Sequence, residues 1–461
     1  MFTITYDPLN KTKRSTGILT KCSRRAHFTY FFYISFWLMF SPINKRVART
    51  FLIQLSAIAA FLFSATMAQA QGTVTSAQDS VIAQPKPPQA AKSHWYDKIS
   101  LRGYVQIRYN RLLETNPQLK TEYDRSVGDK GGFLIRRARL VFSGNVHDRV
   151  FIYIQPDLAS TPSGSSSLHF VQLRDAYFDI SLDKKKEYRL RVGQSKVPYG
   201  FENMQSSQNR LTLDRNDALN SALPNERDLG LMFYWAPEHI RKRFSELANS
   251  RLKGSGDYGV FGLGIYNGQT ANRPEANNNQ HLVARLSYPF AFKNGQIVEP
   301  GLQAYTGLYT VTSDQLSSTE IKGGNFTDRR VAASVVVYPQ PFGFQAEYNI
   351  GKGPEFDPAT KTIQSKSLKG GYAQAMYAFK LGDQNFIPFV KTQFYEGGKK
   401  AETDARYSKV YETEIGVEWQ PLPNFELATQ YTITDRTTKD GKNLDNRQHG
   451  QLLRVQAQFN F

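Results

Sequence analysis

Residues 451–461 of the chain read QLLRVQAQFNF, and this stretch decides the fold. From Leu453 to Phe461 every second residue is apolar, and the residues between them are Arg, Gln, Gln and Asn. Side chains alternate between two faces along a β-strand, whereas the same apolar set would scatter around a helix. The end of the chain therefore predicts a strand with one apolar face and one polar face.

The same alternation recurs along the chain from Ile99 onward and predicts sixteen strands. They lie near residues 99–112, 133–144, 150–158, 171–182, 187–195, 229–236, 257–266, 280–289, 297–312, 328–338, 342–351, 368–380, 385–395, 409–419, 424–435 and 449–461.

The connections between these strands alternate in length. The odd-numbered gaps are long and rich in Gly, Ser, Asn and Asp, whereas six of the seven even-numbered gaps are tight turns such as Asn145–Arg149. An even number of strands with long loops at one end and short turns at the other is typical of a bacterial outer-membrane barrel. We therefore predict an all-β fold, a transmembrane antiparallel β-barrel over residues 99–461.

One even-numbered gap, residues 237–256, is twenty residues long. Its segment Ile240–Leu252 is basic and has a helical pattern. Two interpretations stay open at this point. The gap is either a short periplasmic helix in a barrel of 16 strands, or it contains two further strands and the barrel has 18.

The composition agrees with a barrel and excludes other classes. The mean hydropathy of the 461 residues is −0.48, so the chain lacks the repeated apolar runs of a helical membrane protein. A barrel strand exposes only every second residue to lipid and keeps a polar average. A soluble β-sandwich or β-helix is the alternative, but it does not need a terminal aromatic residue. Phe461, at the tip of the last strand, is the residue that we expect the barrel assembly machinery to recognise.

The N-terminal region has the features of an export signal. From Met39 it contains basic residues, an apolar core over residues 51–63 and the sequence Ala68-Gln69-Ala70, which suits signal peptidase. We expect residues 39–70 to be a signal peptide, residues 1–38 an over-extended gene start, and residues 71–98 a flexible periplasmic linker. A transmembrane anchor is the alternative for the apolar core. Export predicts the outer membrane of a Gram-negative bacterium as the location.

No motif in the sequence predicts catalysis. The seven histidines lack metal-ligand spacing, and nucleophile-elbow, zinc-protease and phosphate-loop motifs do not occur. The single cysteine excludes a disulfide framework and a thiolate metal cluster. We therefore expect no enzyme activity, no cofactor and no metal, and a pore is the function that remains.

Basic residues concentrate in the first half of the predicted barrel. The chain has a formal charge of +18, although nearly half of it belongs to residues 1–70. The third long loop, residues 196–228, is the longest of all, and an inward fold would narrow a channel. The candidate residues are Lys196, Arg210, Arg215 and Arg227 in this loop and Arg102, Arg108, Arg137, Arg139, Arg189 and Arg191 on the strands.

Guanidinium groups along a pore raise the local concentration of anions and bind phosphate in a bidentate way. The alternative for each arginine is that it solvates the lumen or binds lipopolysaccharide phosphates at the rim. Nucleic acid is not expected as a partner, because the chain is exported and its aromatic residues alternate as a lipid-facing surface would.

Three motifs resemble those of the phosphate-selective porins of outer membranes. They are Arg136-Arg137-Ala138-Arg139-Leu140 followed by Gly144, residues 190–200 (LRVGQSKVPYG), and Ser206-Ser207 followed by Asp214-Arg215-Asn216. Gly230-Leu231 after the long loop is a further match. The resemblance is strong over residues 99–235. It implies a homotrimer of 16-stranded barrels with an inward-folded third loop and an arginine-lined phosphate pathway.

By motif position, Arg136, Arg137 and Arg215 match arginines of the family's binding region, and Asp175 lies within one position of its acidic lumen residue. Two positions depart from the family pattern, since Asn203 and Gln208 stand where lysines occur. Strict alternation also directs Arg136 toward lipid, which is costly unless a bulge turns it inward.

These observations predict an outer-membrane channel for passive diffusion of small anions, with phosphate preferred, through an arginine-lined constriction. A general diffusion porin without phosphate specificity and a non-conducting structural or adhesive barrel are the alternatives. The expected partners are small anions, outer-membrane lipid and lipopolysaccharide, the assembly machinery, and two further copies of the chain.

Overall fold

The computed structural model describes residues 94–112, 132–160 and 169–461. The predicted signal peptide and most of the predicted linker lie outside these residues. The last part of the linker, Trp95–Lys98, forms a single 3-10 turn directly before the first strand.

The strands are β1 (Ile99–Leu112), β2 (Gly132–His147), β3 (Val150–Ser160), β4 (Phe170–Ser181), β5 (Tyr188–Lys196), β6 (Arg227–Trp235), β7 (Phe261–Tyr266), β8 (His281–Ser287), β9 (Phe290–Ala291), β10 (Ile297–Val311), β11 (Gly324–Val337), β12 (Phe342–Asp357), β13 (Thr362–Tyr377), β14 (Phe379–Leu381), β15 (Gln384–Gly398), β16 (Tyr407–Leu422), β17 (Phe425–Lys439) and β18 (Asn446–Asn460). The helices are α1 (Phe201–Met204), α2 (Asp217–Ala222) and α3 (Glu238–Asn249), and further 3-10 turns are Ser313–Gln315 and Thr403–Ala405.

The strands form one antiparallel sheet that closes on itself, because β1 pairs with both β2 and β18. Two short strands are continuations of their predecessors: β8 and β9 both pair with β10, and β13 and β14 both pair with β15. The barrel therefore has 16 strands around its wall, and each overlaps one of the sixteen predicted segments. The predicted fold class is confirmed.

The alternation of the sequence separates the lumen from the outer surface. On β18 the polar residues Arg454, Gln456 and Gln458 are buried inside the barrel, whereas Phe459 is exposed on the outside. A closed barrel reverses the usual relation of burial and polarity, because its apolar side chains face lipid and its polar side chains crowd the interior.

The long gap after β6 contains a helix, α3, and no strand. The interpretation with 18 strands is therefore wrong, and the helical interpretation is confirmed. None of the helices in the described ranges is long and apolar enough to cross a bilayer.

One predicted loop is much shorter than expected. We predicted a long connection over residues 352–367, but β12 and β13 continue to pair as far as Asp357 and Thr362. The outward side chains there include Lys352, Ser365 and Ser367, so the apolar alternation that revealed the strands has already stopped. Strands that extend beyond the apolar belt keep their backbone hydrogen bonds but no longer alternate between apolar and polar residues.

Candidate functional site

The connection between β5 and β6, residues 197–226 and hereafter loop 3, crosses the interior of the barrel. Its carboxylates reach cations on distant parts of the wall: Glu202 lies 2.5 Å from the Lys391 ammonium, and Asp217 lies 2.6 Å from the Lys399 ammonium. Asp214 lies 2.6 Å from the Arg454 guanidinium and 2.9 Å from that of Arg108. The predicted inward fold of the third loop is confirmed.

Loop 3 is held in this position through its backbone as well. Glu347 on β12 accepts hydrogen bonds from the N–H groups of Phe201 (2.6 Å) and Glu202 (2.8 Å), at the start of α1. The Asn216 side chain caps α2 by accepting the Leu219 N–H at 3.0 Å. Arg330 on β11 donates to the carbonyl of Ala218 at 3.2 Å. Groups that would be unsatisfied at helix ends therefore find partners on the wall or within loop 3.

Apolar side chains of loop 3 pack against the wall in one half of the barrel. Its residues Val197, Tyr199, Leu219 and Leu223 form a buried cluster with wall residues from β6 to β13, namely Met232, Tyr234, Tyr266, Val283, Tyr305, Ala332 and Tyr372. This half of the lumen is filled. The polar residues of the loop and of strands β2 to β5 line the other side.

A single carboxylate, Glu226, contacts all four basic residues that the sequence predicted within residues 196–228. Lys196 is the last residue of β5, Arg210 and Arg215 lie in loop 3, and Arg227 is the first residue of β6. The Glu226 oxygens lie 3.2 Å from Lys196, 3.0 Å from Arg210, 3.0 Å from Arg215 and 2.6 Å from Arg227. Burial alone would raise the pKa of Glu226, but the four cations hold it well below its ordinary range. We call these five residues the Glu226 cluster. Its cations outnumber its carboxylate, so the cluster is strongly positive.

The Glu226 cluster continues onto the wall through Arg227, whose guanidinium also lies 2.9 Å from Asp175. Burial lowers the pKa of Arg215 to about 10, with help from Arg210 and Arg227 and against the opposing effect of Glu226. Arg215 is therefore charged at neutral pH.

Most of the predicted wall arginines are engaged in ion pairs. Arg139 lies 2.7 Å from Asp157, Arg191 lies 2.7 Å from Asp179, and Arg189 lies 2.6 Å from Asp257. All three side chains are buried. The wall thus carries rows of alternating charge. These three arginines do not form a ladder of unpaired guanidinium groups.

Arg136 and Arg137 lie at a bulge in β2. The β1–β2 register shifts between Gln106, opposite Arg137, and Ile107, opposite Ile135, so Arg136 is the extra residue of a bulge. The bulge turns it inward, and its guanidinium lies 3.4 Å from Asp214. Arg137 donates to the Gln106 side chain at 2.8 Å and forms no ion pair with any described carboxylate.

Sequence reasoning missed a second inward-turned arginine. Arg174 lies at a bulge in β4, where Asp175 pairs with Gln155 but Leu173 pairs with Pro156. Its guanidinium donates to the Asn225 carbonyl at 3.2 Å, and its buried Nε finds no hydrogen-bond partner among the described residues. Strict alternation cannot place Arg174 and Asp175 on the same side, so the periodicity contains no signal for it.

A cavity of about 210 Å³ lies beside the Glu226 cluster. Basic residues in its lining include Arg102, Arg191, Lys196 and Arg227, and Asp175 and Asp257 are the carboxylates. A second cavity of about 820 Å³ lies at the short-turn end of the barrel. Arg102, Gln208 and Asn209 line both. The two cavities therefore adjoin and continue the path from loop 3 toward the short turns.

A second segment enters the lumen, from the short-turn end. It comprises α3 and the residues after it, 238–258, and we call it the inner segment. Ile240, Phe244 and Leu247 bury the apolar side of α3, and Leu247 packs in one cluster with Phe201 of loop 3. The predicted periplasmic helix is thus part of a cover over the barrel mouth.

Lys253 fixes the inner segment to the far wall. Its ammonium lies 2.5 Å from Glu418 on β16 and 3.8 Å from Glu426 on β17. Burial lowers the pKa of Lys253, but the two carboxylates outweigh this effect and raise it above its ordinary value. The segment also meets loop 3 directly, since Gln205 donates to the Lys253 carbonyl at 2.6 Å and Asn209 to the Ala248 carbonyl at 2.8 Å.

In the described part of the chain, no group of His, Cys, Asp and Glu side chains has an arrangement that suits a metal ion. The residues of the site are cations, carboxylates and aromatic rings in a polar lumen. Chemically, such a set attracts and orients anions.

A family model described as phosphate-selective porin O and P matches residues 105–461. Among solved structures, OmpF of Salmonella typhi in complex with daunomycin is 12% identical, with coverage of 80% of this chain and 99% of that chain and a TM-score of 0.51. The outer membrane channel DcaP of Acinetobacter baumannii is 15% identical over 79% of this chain and 97% of that chain, with a TM-score of 0.48.

An anion-selective porin from Comamonas acidovorans is 10% identical over 79% of this chain and 99% of that chain, with a TM-score of 0.45. At these identities the likeness to OmpF concerns the barrel fold alone. No curated protein matches the chain.

Proposed function

Because the chain belongs to the phosphate-selective porin O and P family, it is an outer-membrane channel, and we propose that it passes small anions by passive diffusion, with phosphate preferred. In such barrels the short turns face the periplasm and the long loops face the outside. Loop 3 then narrows the channel from the outside, and the inner segment lies at the periplasmic mouth.

The observation that carries this proposal is the Glu226 cluster. Four cations share one carboxylate at the place where loop 3 narrows the lumen. An excess of positive charge in a confined, partly dehydrated space lowers the free energy of an entering anion and raises that of a cation. Arg137 and Arg174 add guanidinium groups that form no ion pair with a described carboxylate, and the guanidinium fork suits phosphate geometry.

Planar-bilayer recording of the purified protein tests the proposal. In a potassium chloride gradient we expect a reversal potential that shows a preference for chloride over potassium. Added phosphate should then reduce the chloride current, because it occupies the same guanidinium groups for longer. A preference for potassium would contradict the anion channel, and a complete lack of conductance would favour a structural or adhesive barrel.

A general anion porin without phosphate specificity is the second candidate. Two observations favour it: Arg139, Arg189 and Arg191 are already engaged by carboxylates, and Asn203 and Gln208 are neutral. Chloride selectivity without inhibition by phosphate would support this candidate.

The assembly of the channel is also a proposal. The family resemblance supports a homotrimer, and the residues 39–70 support export by a signal peptide. The end of the chain supports recognition by the assembly machinery, since Phe461 exchanges two backbone hydrogen bonds with Gly103 of β1, at 2.8 and 3.0 Å. Recognition of Phe461 before this pairing forms would leave barrel closure as the last step.

A further inference from the structure

The outer surface of β11 and β12 has an apolar belt with a sharp upper edge. On β12 the outward residues are Phe342, Phe344, Ala346, Tyr348 and Ile350, and the next outward residue is Lys352. At a rise of roughly 3.3 Å per residue and a tilt of about 45°, this belt is roughly 20 Å tall, close to the lipid-facing band of an outer-membrane barrel. Lys352 therefore lies at the boundary between hydrocarbon and headgroups, on the long-loop side.

Three cations meet at this edge. Arg329 on β11 pairs directly opposite Lys352, and Lys369 on β13 lies two residues from Ser367, which pairs with Lys352 on its other side. All three side chains are exposed and point outward. None forms an ion pair or a side-chain hydrogen bond with another residue in the described ranges. Like charges directly opposite each other on a sheet repel, so a bound anion would relieve the repulsion between Arg329 and Lys352.

The three cations form one end of a groove on the outer surface with a volume of about 760 Å³. Its remaining lining is mostly apolar: Leu263, Leu282, Ala284, Ala304, Val331 and Ile350. The small side chains Ala284 and Ala304 face each other across β8 and β10 and leave space between larger neighbours. A groove with cations at the level of the headgroups and an apolar floor below them is complementary to an anionic lipid.

We propose that this groove binds a phosphorylated glycolipid of the outer leaflet, that is, a lipopolysaccharide molecule. Arg329, Lys352 and Lys369 hold its phosphate, and an acyl chain lies along the apolar floor. The position above the belt on the long-loop side selects the outer leaflet, and the unneutralised charge selects phosphate over a neutral headgroup. The site lies on the outside of the wall and is independent of the pore.

The test measures binding of diphosphorylated lipid A to the purified full chain in detergent by native mass spectrometry. The test variant combines Arg329→Gln, Lys352→Gln and Lys369→Gln. The matched control combines Lys322→Gln, Lys361→Gln and Lys442→Gln, which removes the same charge from exposed positions at the same end of the barrel. We expect the wild type and the control to bind equally and the test variant to bind at least about tenfold more weakly.

Two further measurements separate the phosphate contact from the acyl contact. Dephosphorylated lipid A should bind the wild type as weakly as diphosphorylated lipid A binds the test variant. The substitution Ala304→Trp fills the groove, leaves the cations in place and should also weaken binding. Equal binding by wild type and test variant, or equal binding of both lipids by the wild type, would overturn the proposal.

The resistance of the folded barrel to unfolding by detergent at room temperature shows on a gel whether each variant has folded. If the triple variant does not fold, Lys352→Gln alone serves as the test, with Lys361→Gln as its control. Unchanged anion conductance in the triple variant would confirm that the lipid site and the pore are separate.

Discussion

Loop 3 and the inner segment both fill the lumen, but they are attached in different ways. Loop 3 is held by carboxylates that reach Lys391 and Arg454 on distant strands and Lys399 directly after β15, and its own cations converge on Glu226. The inner segment is held by the apolar side of α3, by Lys253 and by the ion pair of Asp257 with Arg189. Loop 3 therefore cannot leave without exposing many buried charges, whereas the inner segment has fewer ion pairs with the wall. We infer that loop 3 determines selectivity and that the inner segment mainly limits conductance.

Deletion of residues 239–255, with a short Asn-Gly turn in their place, should have the largest effect. Trp235 already pairs with Phe261, so β6 and β7 can be joined by a hairpin. The periplasmic mouth would open, and we expect single-channel conductance to rise severalfold. The channel should stay anion-selective through loop 3, with a lower ratio of chloride to potassium permeability because the deletion also removes Lys253 from Glu418 and Glu426. The exposed-surface variant Lys242→Gln of α3 serves as the control and should conduct as the wild type does. Unchanged conductance in the deletion would show that the inner segment does not obstruct the path.

The substitution Lys253→Met should have the second-largest effect, because it leaves Glu418 and Glu426 without their cation. Removing one partner of a buried ion pair costs about 3–5 kcal/mol of unfolding free energy, and urea unfolding in detergent measures the loss. The two carboxylates would also attract cations at the mouth, so the ratio of chloride to potassium permeability should fall. Adding Glu418→Gln to this variant should restore most of the ratio. Failure to restore it would mean that Lys253 acts through the position of the segment and not through its charge.

The sequence predicted the barrel because lipid imposes a period of two on every strand that crosses it. The prediction failed where that constraint ends: β12 and β13 continue to Asp357 and Thr362 beyond the apolar belt. It also failed at Arg174, because a bulge breaks the alternation locally. At Arg136 the alternation predicted a lipid-facing side chain, and a bulge was named only as the arrangement that would avoid this cost.

The loop cations were found from the sequence, but their common partner was not. Glu226 is one of four acidic residues in loop 3, with Glu202, Asp214 and Asp217. Only the path of the chain brings Lys196, Arg210 and Arg215 to Glu226 and not to another of these carboxylates. In the same way, nothing near Lys391 or Arg454 in the sequence connects them to Glu202 or Asp214. The helix of the inner segment was predicted from its local pattern, whereas its position across the mouth follows from Lys253 and Glu418, which are separated by 165 residues.

Within the region of loop 3, Arg139 and Arg137 provide a matched pair of smaller effects. Arg139→Gln leaves Asp157 buried without its cation and should destabilise the barrel by about 3 kcal/mol. Arg137→Gln removes a cation that no described carboxylate balances, so unfolding should change by less than about 1 kcal/mol while inhibition of the chloride current by phosphate weakens. The two urea-unfolding midpoints and the two phosphate titrations distinguish them. Equal loss of phosphate inhibition in both variants would mean that Arg139 contributes to phosphate binding despite its ion pair with Asp157.

The smallest effect expected is that of mild acid on the charges of loop 3. Burial would raise the pKa values of Glu226 and Asp214, but the surrounding cations hold both well below the ordinary range. A carboxylate with a lowered folded-state pKa stabilises the fold above its unfolded-state value of about 4.3 for Glu and 3.9 for Asp, and this contribution is lost as pH falls toward the folded-state value. Stability and anion selectivity contributed by loop 3 should therefore stay constant between pH 7 and pH 5.

In Glu226→Gln the remaining cations are already unneutralised, so its anion selectivity should exceed that of the wild type across this range. A rise in wild-type selectivity between pH 7 and pH 5, absent from Glu226→Gln, would show that Glu226 takes up a proton there and that its four cations do not stabilise its charge.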